Sequence, residues 1–155
     1  MSTFQDFKIK KQLQKAIADL GLQKATPIQQ ASYSPILGGA DFVGIAQTGT
    51  GKTFAYLLPI LQDLNFSDQT QPRVLILVPT RELVIQIVEE IEKLTPYLSV
   101  RVAGVYGGSN NIDIQKRAVA EGIDIIVGTP RRLYDLVISN TLRLKSIKKM
   151  AQKLL

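Results

Sequence analysis

The chain has 155 residues, a hydrophobic share of 45% and a formal net charge of +6, which is typical of one soluble globular domain with a real core. It contains no cysteine and no histidine, which excludes disulfides, thiolate chemistry, His-based triads and His metal sites. No apolar run approaches the ~18 residues that a membrane span needs, and the N-terminus is polar, so we expect a protein of the reducing cytoplasm without membrane association.

The positive charge is concentrated towards the C-terminal end of the chain. After residue 130 there are seven basic residues and one acidic residue, whereas the preceding part is neutral overall. Such a basic end is either a surface that attracts nucleic acid or a solvated helix face, and charge alone favours the second interpretation.

Two helices are predicted at the start of the chain. Apolar residues recur at helical spacing from Leu13 to Leu20, and Gly21 ends this first helix. The pair Thr26-Pro27 opens the second helix, which ends before Gly38.

A phosphate-binding loop is predicted at residues 46–53. It follows an apolar run, Phe42 to Ile45, that we expect to form a strand, and it precedes a helical segment that reaches about Leu64. A strand that turns through glycines into a helix points backbone N–H groups and a partial positive charge at one spot. Lys52 would then reach the terminal phosphates of a nucleoside triphosphate, and the Thr53 hydroxyl would ligate its Mg²⁺. The alternative is a Gly/Thr-rich surface turn. The loop residues are Ala46, which replaces the usual first glycine, Gln47, Thr48, Gly49, Thr50, Gly51, Lys52 and Thr53.

The remainder of the chain repeats the order strand, polar turn, helix. Apolar runs at 74–78, 100–105 and 123–127 predict strands, and helices are expected at about 80–94, 111–120 and 130–138. Residues 65–72 are polar and predict a surface loop. This order predicts an α/β domain with a mainly parallel sheet, whose ligands lie at the carboxyl ends of the strands.

Taken together, these turns resemble the DEAD-box family of ATP-dependent RNA helicases, and specifically the first of its two RecA-like domains. Gly21 to Gln29 is similar to the family's adenine-recognition segment, which includes Thr26, and Phe4 stands at the position of its isolated upstream aromatic. The resemblance implies that Gln29 reads the adenine edge and that Phe4 stacks on the ring. An amide is suited to this role because it can donate and accept at once. The alternative for Phe4 is a hydrophobic staple on the first helix.

Three further motifs resemble the segments with which the family holds the sugar-phosphate backbone of RNA. They are Pro79 to Leu83, Gly107-Gly108 and Thr129 to Arg132. Backbone contacts of this kind give affinity without sequence preference. The alternative is that each Thr simply starts a helix and that Arg81 pairs with a carboxylate. The candidate RNA-binding residues are Pro79, Thr80, Arg81, Gly107, Gly108, Thr129, Pro130 and Arg132.

Several positions depart from the family pattern. Leu22 replaces an aromatic residue, Ala25 a proline and Arg131 a glycine. After Lys149 the family continues into an apolar strand that ends in Asp-Glu-Ala-Asp, whereas this chain has no acidic residue beyond Asp135. We therefore expect a three-layer RecA-like P-loop NTPase domain that is incomplete at its C-terminus and lacks the carboxylates that hold Mg²⁺ and orient the attacking water.

The resemblance implies the ATP-binding and RNA-binding N-terminal part of a helicase, with ATP and Mg²⁺ as cofactors. Adenine-recognition helices at 1–38 would precede a partial RecA-like domain at 39–155, in one structural domain overall. The second RecA-like domain is missing, so we expect this chain alone not to be catalytically competent. The alternatives are a non-catalytic ATP/RNA-binding module and an unrelated P-loop ATPase. Loss of the carboxylate-bearing strand also predicts unpaired strand edges, marginal stability and aggregation.

Overall fold

A computed structural model describes residues 3–47, 51–108 and 112–153, and these residues form two compact units. The first unit contains the chain up to residue 65 together with residues 90–99, and the second contains residues 66–89 and those from 100 onward. A 3-10 turn at Phe4–Asp6 is followed by α1 (Lys11–Asp19), α2 (Pro27–Leu37), α3 (Lys52–Asp63), β1 (Val74–Leu77), α4 (Arg81–Leu94), β2 (Val102–Val105), α5 (Ile112–Ala120), β3 (Ile125–Gly128), α6 (Pro130–Ile138) and β4 (Lys149–Gln152).

The first unit is built mainly from α1, α2 and α3. α2 begins with a capping box, in which the Thr26 hydroxyl accepts from the Gln29 backbone N–H at 3.4 Å and Gln29 Oε1 accepts from the Thr26 backbone N–H at 2.9 Å. The Ser32 hydroxyl of α2 donates to the Ala55 carbonyl of α3 at 2.6 Å. The capping box thus defines the start of α2, and the buried hydrogen bond from Ser32 holds α2 against the first turn of α3.

The second unit is a four-stranded parallel sheet in the order β2-β3-β1-β4. One face is covered by α5 and α6, through a core that includes Ala103, Val105 and Leu136. Gly104 points to the opposite face, where a Cβ atom would meet Val84 of α4 at 2.8 Å. Helices therefore lie on both faces of a parallel sheet, which confirms the predicted α/β class. None of the described helices is long and apolar enough to cross a membrane.

The prediction of a strand before the phosphate loop is wrong. Residues 41–47 are irregular, and the side chains of Val43 and Ile45 are 87% and 92% exposed. None of the strands in the described part of the chain pairs with this run. Because a strand needs ladder hydrogen bonds from a neighbour, apolar composition alone does not make residues 41–47 extended and paired.

The expectation that loss of the carboxylate-bearing strand leaves strand edges unpaired is wrong for β1. β4 pairs with β1 from Val74 opposite Lys149 to Leu77 opposite Gln152, and the Lys153 N–H donates to the Leu77 carbonyl at 2.9 Å. The backbone N–H and C=O groups on the edge of β1 thus pair with a segment that is not continuously apolar. Within this strand Met150 is 63% exposed. Leu154 and Leu155 lie outside the described residues, as does Asn111 at the expected start of α5.

Candidate functional site

The end of the predicted phosphate loop is the N-terminus of α3. Gly51 is the N-cap residue with φ 78° and ψ 29°, a left-handed conformation that glycine adopts freely. Gly51 offers no side chain to cap this helix, so its first N–H groups face out of the helix end with the helix dipole behind them. Lys52 and Thr53 are the first helical residues and both are half-buried. This arrangement is suited to binding an anion.

The remaining loop residues are only partly described. Ala46 is half-buried and Gln47 is exposed. Thr48, Gly49 and Thr50 lie outside the described residues. The structure therefore gives the geometry of the helix end of the loop, while the predicted contacts of the glycine-rich centre stay a prediction.

Gln29 joins the candidate adenine segment to the phosphate loop. Its side chain is buried, with 5% exposure, and its Nε2 donates to the Gly51 carbonyl at 3.2 Å. A Cβ atom on residue 51 would overlap Gln29 Nε2 and lie 3.3 Å from the Thr26 methyl group, so any larger residue must displace the Gln29 amide in addition to adopting a positive φ. After its hydrogen bonds to Thr26 and Gly51, the amide still has one N–H and one lone pair for a ligand.

Phe4 lies in an aromatic cluster with Phe7 and Tyr33. It is 5% exposed, its ring meets Phe7 edge-on at 6.0 Å, and Phe7 stacks on Tyr33 at 4.9 Å. Burial raises the pKa of Tyr33 to about 12, and its hydroxyl donates to the Lys8 carbonyl at 2.7 Å. The Phe4 backbone N–H also donates to the Gln23 carbonyl at 3.1 Å. Phe4 thus packs inside the first unit and next to the adenine segment, and its stacking on adenine stays a prediction.

Three of the predicted turns emerge side by side in the second unit. The Val78 N–H donates to the Gly128 carbonyl at 3.1 Å, and the Thr129 N–H donates to the Val105 carbonyl at 3.2 Å. Because β1, β2 and β3 are parallel neighbours, the turns that follow them share one edge of the sheet. The structure therefore brings together the three motifs that were predicted to bind RNA.

The first two turns present groups that suit a phosphate backbone. The Thr80 hydroxyl accepts from the Leu83 N–H at 3.3 Å and so caps α4, while the neighbouring Pro79 and Arg81 are exposed. Gly107 and Gly108 are exposed too, and a Cβ atom on either would meet no atom of the described residues within 4 Å. Gly108 has φ +87°. The backbone at this glycine pair is accordingly open to close approach by a ligand.

The third turn exposes a different arginine from the one predicted. Arg132 is 8% exposed, and its Nη1 donates to Gln115 Oε1 at 2.9 Å. Its Nε is buried without a hydrogen-bond partner among the described residues. The neighbouring Arg131 side chain is 85% exposed and lies 3.4 Å from the Asp135 carboxylate. Pro130 is exposed and Thr129 half-buried. Surface charge at this turn therefore comes from Arg131, the residue that replaces a glycine of the family pattern.

Sequence reasoning missed two residues of this edge, Gln115 and Tyr106. Gln115 lies on the buried side of α5 with 7% exposure, and its amide contacts both the backbone of Tyr106 and the side chain of Arg132. The Arg81 guanidinium lies 5.0 Å from the centre of the Tyr106 ring. Gln115 could have been identified from the sequence as a glutamine on the buried face of an amphipathic helix, because a buried amide requires hydrogen-bond partners.

The described residues contain no cluster of three acidic, His or Cys side chains that could hold a metal ion. Where β4 reaches the carboxyl edge of the sheet it carries Gln152 and then Lys153, an amide and an ammonium group. The metal ligand predicted from the sequence, the Thr53 hydroxyl, stays a prediction.

Comparison with known proteins gives the family. The sequence profile of the DEAD/DEAH box helicases matches residues 26–151, and so ends within β4. The ATP-dependent RNA helicase DeaD of Haemophilus influenzae is 40% identical over 147 residues, covering 94% of this chain and 24% of the relative. DeaD of Escherichia coli K12 is 41% identical over 147 residues, covering 94% of this chain and 23% of the relative. The DEAD-box ATP-dependent RNA helicase CshA of Bacillus licheniformis is 41% identical over 145 residues, covering 94% and 29%. The chain thus spans about a quarter of the length of the curated relatives that it matches. Since the matched profile covers well over half of its residues, the chain belongs to the DEAD/DEAH box helicase family.

Proposed function

We propose that the chain is the ATP-binding and RNA-binding N-terminal part of a DEAD-box ATP-dependent RNA helicase. In the full-length protein, ATP hydrolysis would be coupled to unwinding of RNA duplexes. The observation that carries the proposal is the hydrogen bond from Gln29 to the Gly51 carbonyl, because it joins a base-reading amide to the end of a phosphate loop. The relatives named above, each an ATP-dependent RNA helicase, support the same function.

The ATP site lies in the first unit. The backbone N–H groups at the start of α3 bind phosphate oxygens, and the Lys52 ammonium group neutralises their charge. Gln29 orients the base with its remaining N–H and lone pair, and Thr26 holds Gln29 through the capping box. Mg²⁺, when bound with the nucleotide, neutralises charge on the terminal phosphates, and the Thr53 hydroxyl is its ligand from this chain.

The RNA site lies at the carboxyl edge of the sheet in the second unit. The open backbone at Gly107 and Gly108 admits a sugar-phosphate chain, and the exposed Arg81 and Arg131 supply positive charge. These groups contact phosphate and sugar and not base edges, so single-stranded or duplex RNA of any sequence would bind.

Hydrolysis needs more than a bound nucleotide. Phosphoryl transfer to water requires an oriented water and charge stabilisation in addition to bound ATP and Mg²⁺. With Gln152 and Lys153 at the end of β4, we propose that the chain binds ATP and RNA without turnover and that a second RecA-like domain provides the rest. We also propose a cytoplasmic location and one structural domain, with the adenine helices at 1–38 and the partial RecA-like domain at 39–155.

Equilibrium binding tests this function. A fluorescent ATP analogue with Mg²⁺ should bind the chain, and Lys52→Ala should weaken that binding at least about tenfold, because a charge-assisted hydrogen bond contributes about 1.5–3 kcal/mol. Lys93→Ala is the matched control, since Lys93 is exposed and its ion pair with Glu90, at 3.9 Å, is a weak surface contact. Equal binding by both variants would contradict a phosphate loop.

A turnover assay separates the candidate functions. With RNA present, we expect no hydrolysis above background from this chain. ATP hydrolysis at a helicase-like rate that disappears in Lys52→Ala would show a complete catalytic site and contradict the proposal of binding without turnover. The unrelated P-loop ATPase is favoured instead if GTP competes as well as ATP and Gln29→Ala changes nothing.

A further inference from the structure

The backbone between β2 and the glycine pair is held by one side chain. The Tyr106 N–H donates to Gln115 Oε1 at 3.3 Å, and the Tyr106 carbonyl accepts from Gln115 Nε2 at 3.1 Å. The primary amide thereby pairs with residue 106 as a neighbouring strand would, one residue beyond the last β2–β3 pair, Val105 with Gly128. This pairing fixes the direction in which the chain leaves β2 towards Gly107.

The same amide connects the other two turns of the edge. Gln115 Oε1 also accepts from Arg132 Nη1 at 2.9 Å, and Arg132 belongs to the turn after β3. The Tyr106 ring lies 5.0 Å from the guanidinium carbon of Arg81, which belongs to the turn after β1. A continuous set of contacts, Arg81 to Tyr106 to Gln115 to Arg132, therefore spans three adjacent strands.

Burial makes these contacts difficult to replace. Gln115 is 7% exposed and Arg132 is 8% exposed, so water competes weakly for their polar atoms. The Gln115 amide supplies the donor for the Tyr106 carbonyl together with the acceptor for the Tyr106 N–H and Arg132. Glutamate would keep the acceptor but place a carboxylate oxygen against the Tyr106 carbonyl, and leucine would leave three polar groups without their partner.

We propose that Gln115 is a positioning residue that sets the relative arrangement of the three RNA-contacting turns. This role rests on the RNA-binding function proposed above. Gln115 is buried and does not touch RNA itself. It acts through Tyr106 on the glycine pair and Arg81, and through Arg132 on the turn that carries Arg131.

Binding of a fluorescein-labelled oligouridylate, measured against salt concentration, tests this role. Gln115→Leu and Gln115→Glu should weaken RNA binding about tenfold, because each disrupts hydrogen bonds of about 0.5–1.5 kcal/mol. ATP affinity should not change in either variant, and in Gln115→Leu the slope of log K against log salt should not change, since no charge is added or removed. Arg81→Ala should instead lower that slope by about 1. Gln86→Leu, at an exposed position of α4, is the matched control and should leave RNA binding unchanged.

Hydrogen exchange of the peptide that contains Tyr106 supplies a readout that needs no RNA. Faster exchange in Gln115→Leu and not in Gln86→Leu supports the positioning role, even if the unaltered chain binds no RNA and the proposed function fails. Unchanged exchange overturns it. RNA affinity within twofold of the unaltered chain, or an equal loss of ATP and RNA binding in both Gln115 variants, also overturns it.

Discussion

Replacing Gly51 by alanine should perturb the phosphate loop in two separable ways. A side chain at φ 78° costs about 1–2 kcal/mol, because Cβ crowds the backbone in the left-handed region. The new methyl group would also overlap Gln29 Nε2, which forces the amide off the Gly51 carbonyl and loses a hydrogen bond of about 0.5–1.5 kcal/mol. Both costs fall on the loop conformation that binds phosphate, so their sum of about 1.5–3.5 kcal/mol corresponds to roughly 10- to 300-fold in ATP affinity.

Gly39 and Gln29 provide the controls for this prediction. Gly39 also has positive φ, +86°, but a Cβ atom there meets no described residue within 4 Å. Gly39→Ala therefore carries similar backbone strain outside the phosphate loop and without the overlap, and should leave ATP affinity within about twofold. In a Gln29→Ala background the new methyl group meets no amide, so Gly51→Ala should cost less by about 0.5–1.5 kcal/mol. Titration of a fluorescent ATP analogue at fixed Mg²⁺ measures all four proteins of the cycle. Strictly additive effects would refute the contact between Gln29 and Gly51.

Two further predictions concern stability and solubility. The Asp124 carboxylate is buried, with 1% exposure, and lies 3.0 Å from both Arg73 and Arg101. Burial alone would raise the pKa of Asp124. Hydrogen bonds from the two arginines outweigh that effect and hold the pKa below its ordinary value. The carboxylate therefore stabilises the fold above about pH 4, and this stabilisation is lost as pH falls through the lowered pKa. Asp124→Asn should cost about 3–5 kcal/mol at neutral pH, mainly through the buried Arg73, and should flatten the acid dependence of urea unfolding; a loss below about 1 kcal/mol contradicts a buried pair. Replacing Val43 and Ile45 by threonine should reduce aggregation in light scattering without changing ATP affinity, because these side chains are 87% and 92% exposed, and unchanged aggregation would count against the exposed run as its cause.

Local signals in the sequence account for the parts of the fold that were predicted. Thr26-Pro27 with Gln29 specifies a helix start by hydrogen bonds within four residues, and the capping box forms as such patterns do. Continuous apolar runs specify β1 and β3, since a strand buried on both faces needs little information beyond its own composition. The three turns after β1, β2 and β3 then share an edge because the strands are parallel.

Pairing and burial decide the parts that were not predicted. The apolar run at 42–45 has no strand beside it among the described residues, whereas the polar β4 forms because β1 offers it free ladder groups. Arg131 and Arg132 are adjacent in sequence, and only the packing of α6 determines which of them is exposed. The role of Gln115 depends on contacts with residues 9 and 17 positions away, which no periodic pattern encodes.

Competition between ATP and GTP for the fluorescent ATP analogue tests the central claim most directly, because it asks whether Gln29 and the phosphate loop act as one adenine nucleotide site. We expect ATP to displace the analogue at least about tenfold more effectively than GTP, since one well-formed bidentate contact to a base gives about 1–3 kcal/mol of discrimination. Gln29→Ala should abolish that preference while Lys52→Ala weakens both nucleotides. Equal displacement by ATP and GTP from the unaltered chain would contradict an ATP site of the DEAD-box type.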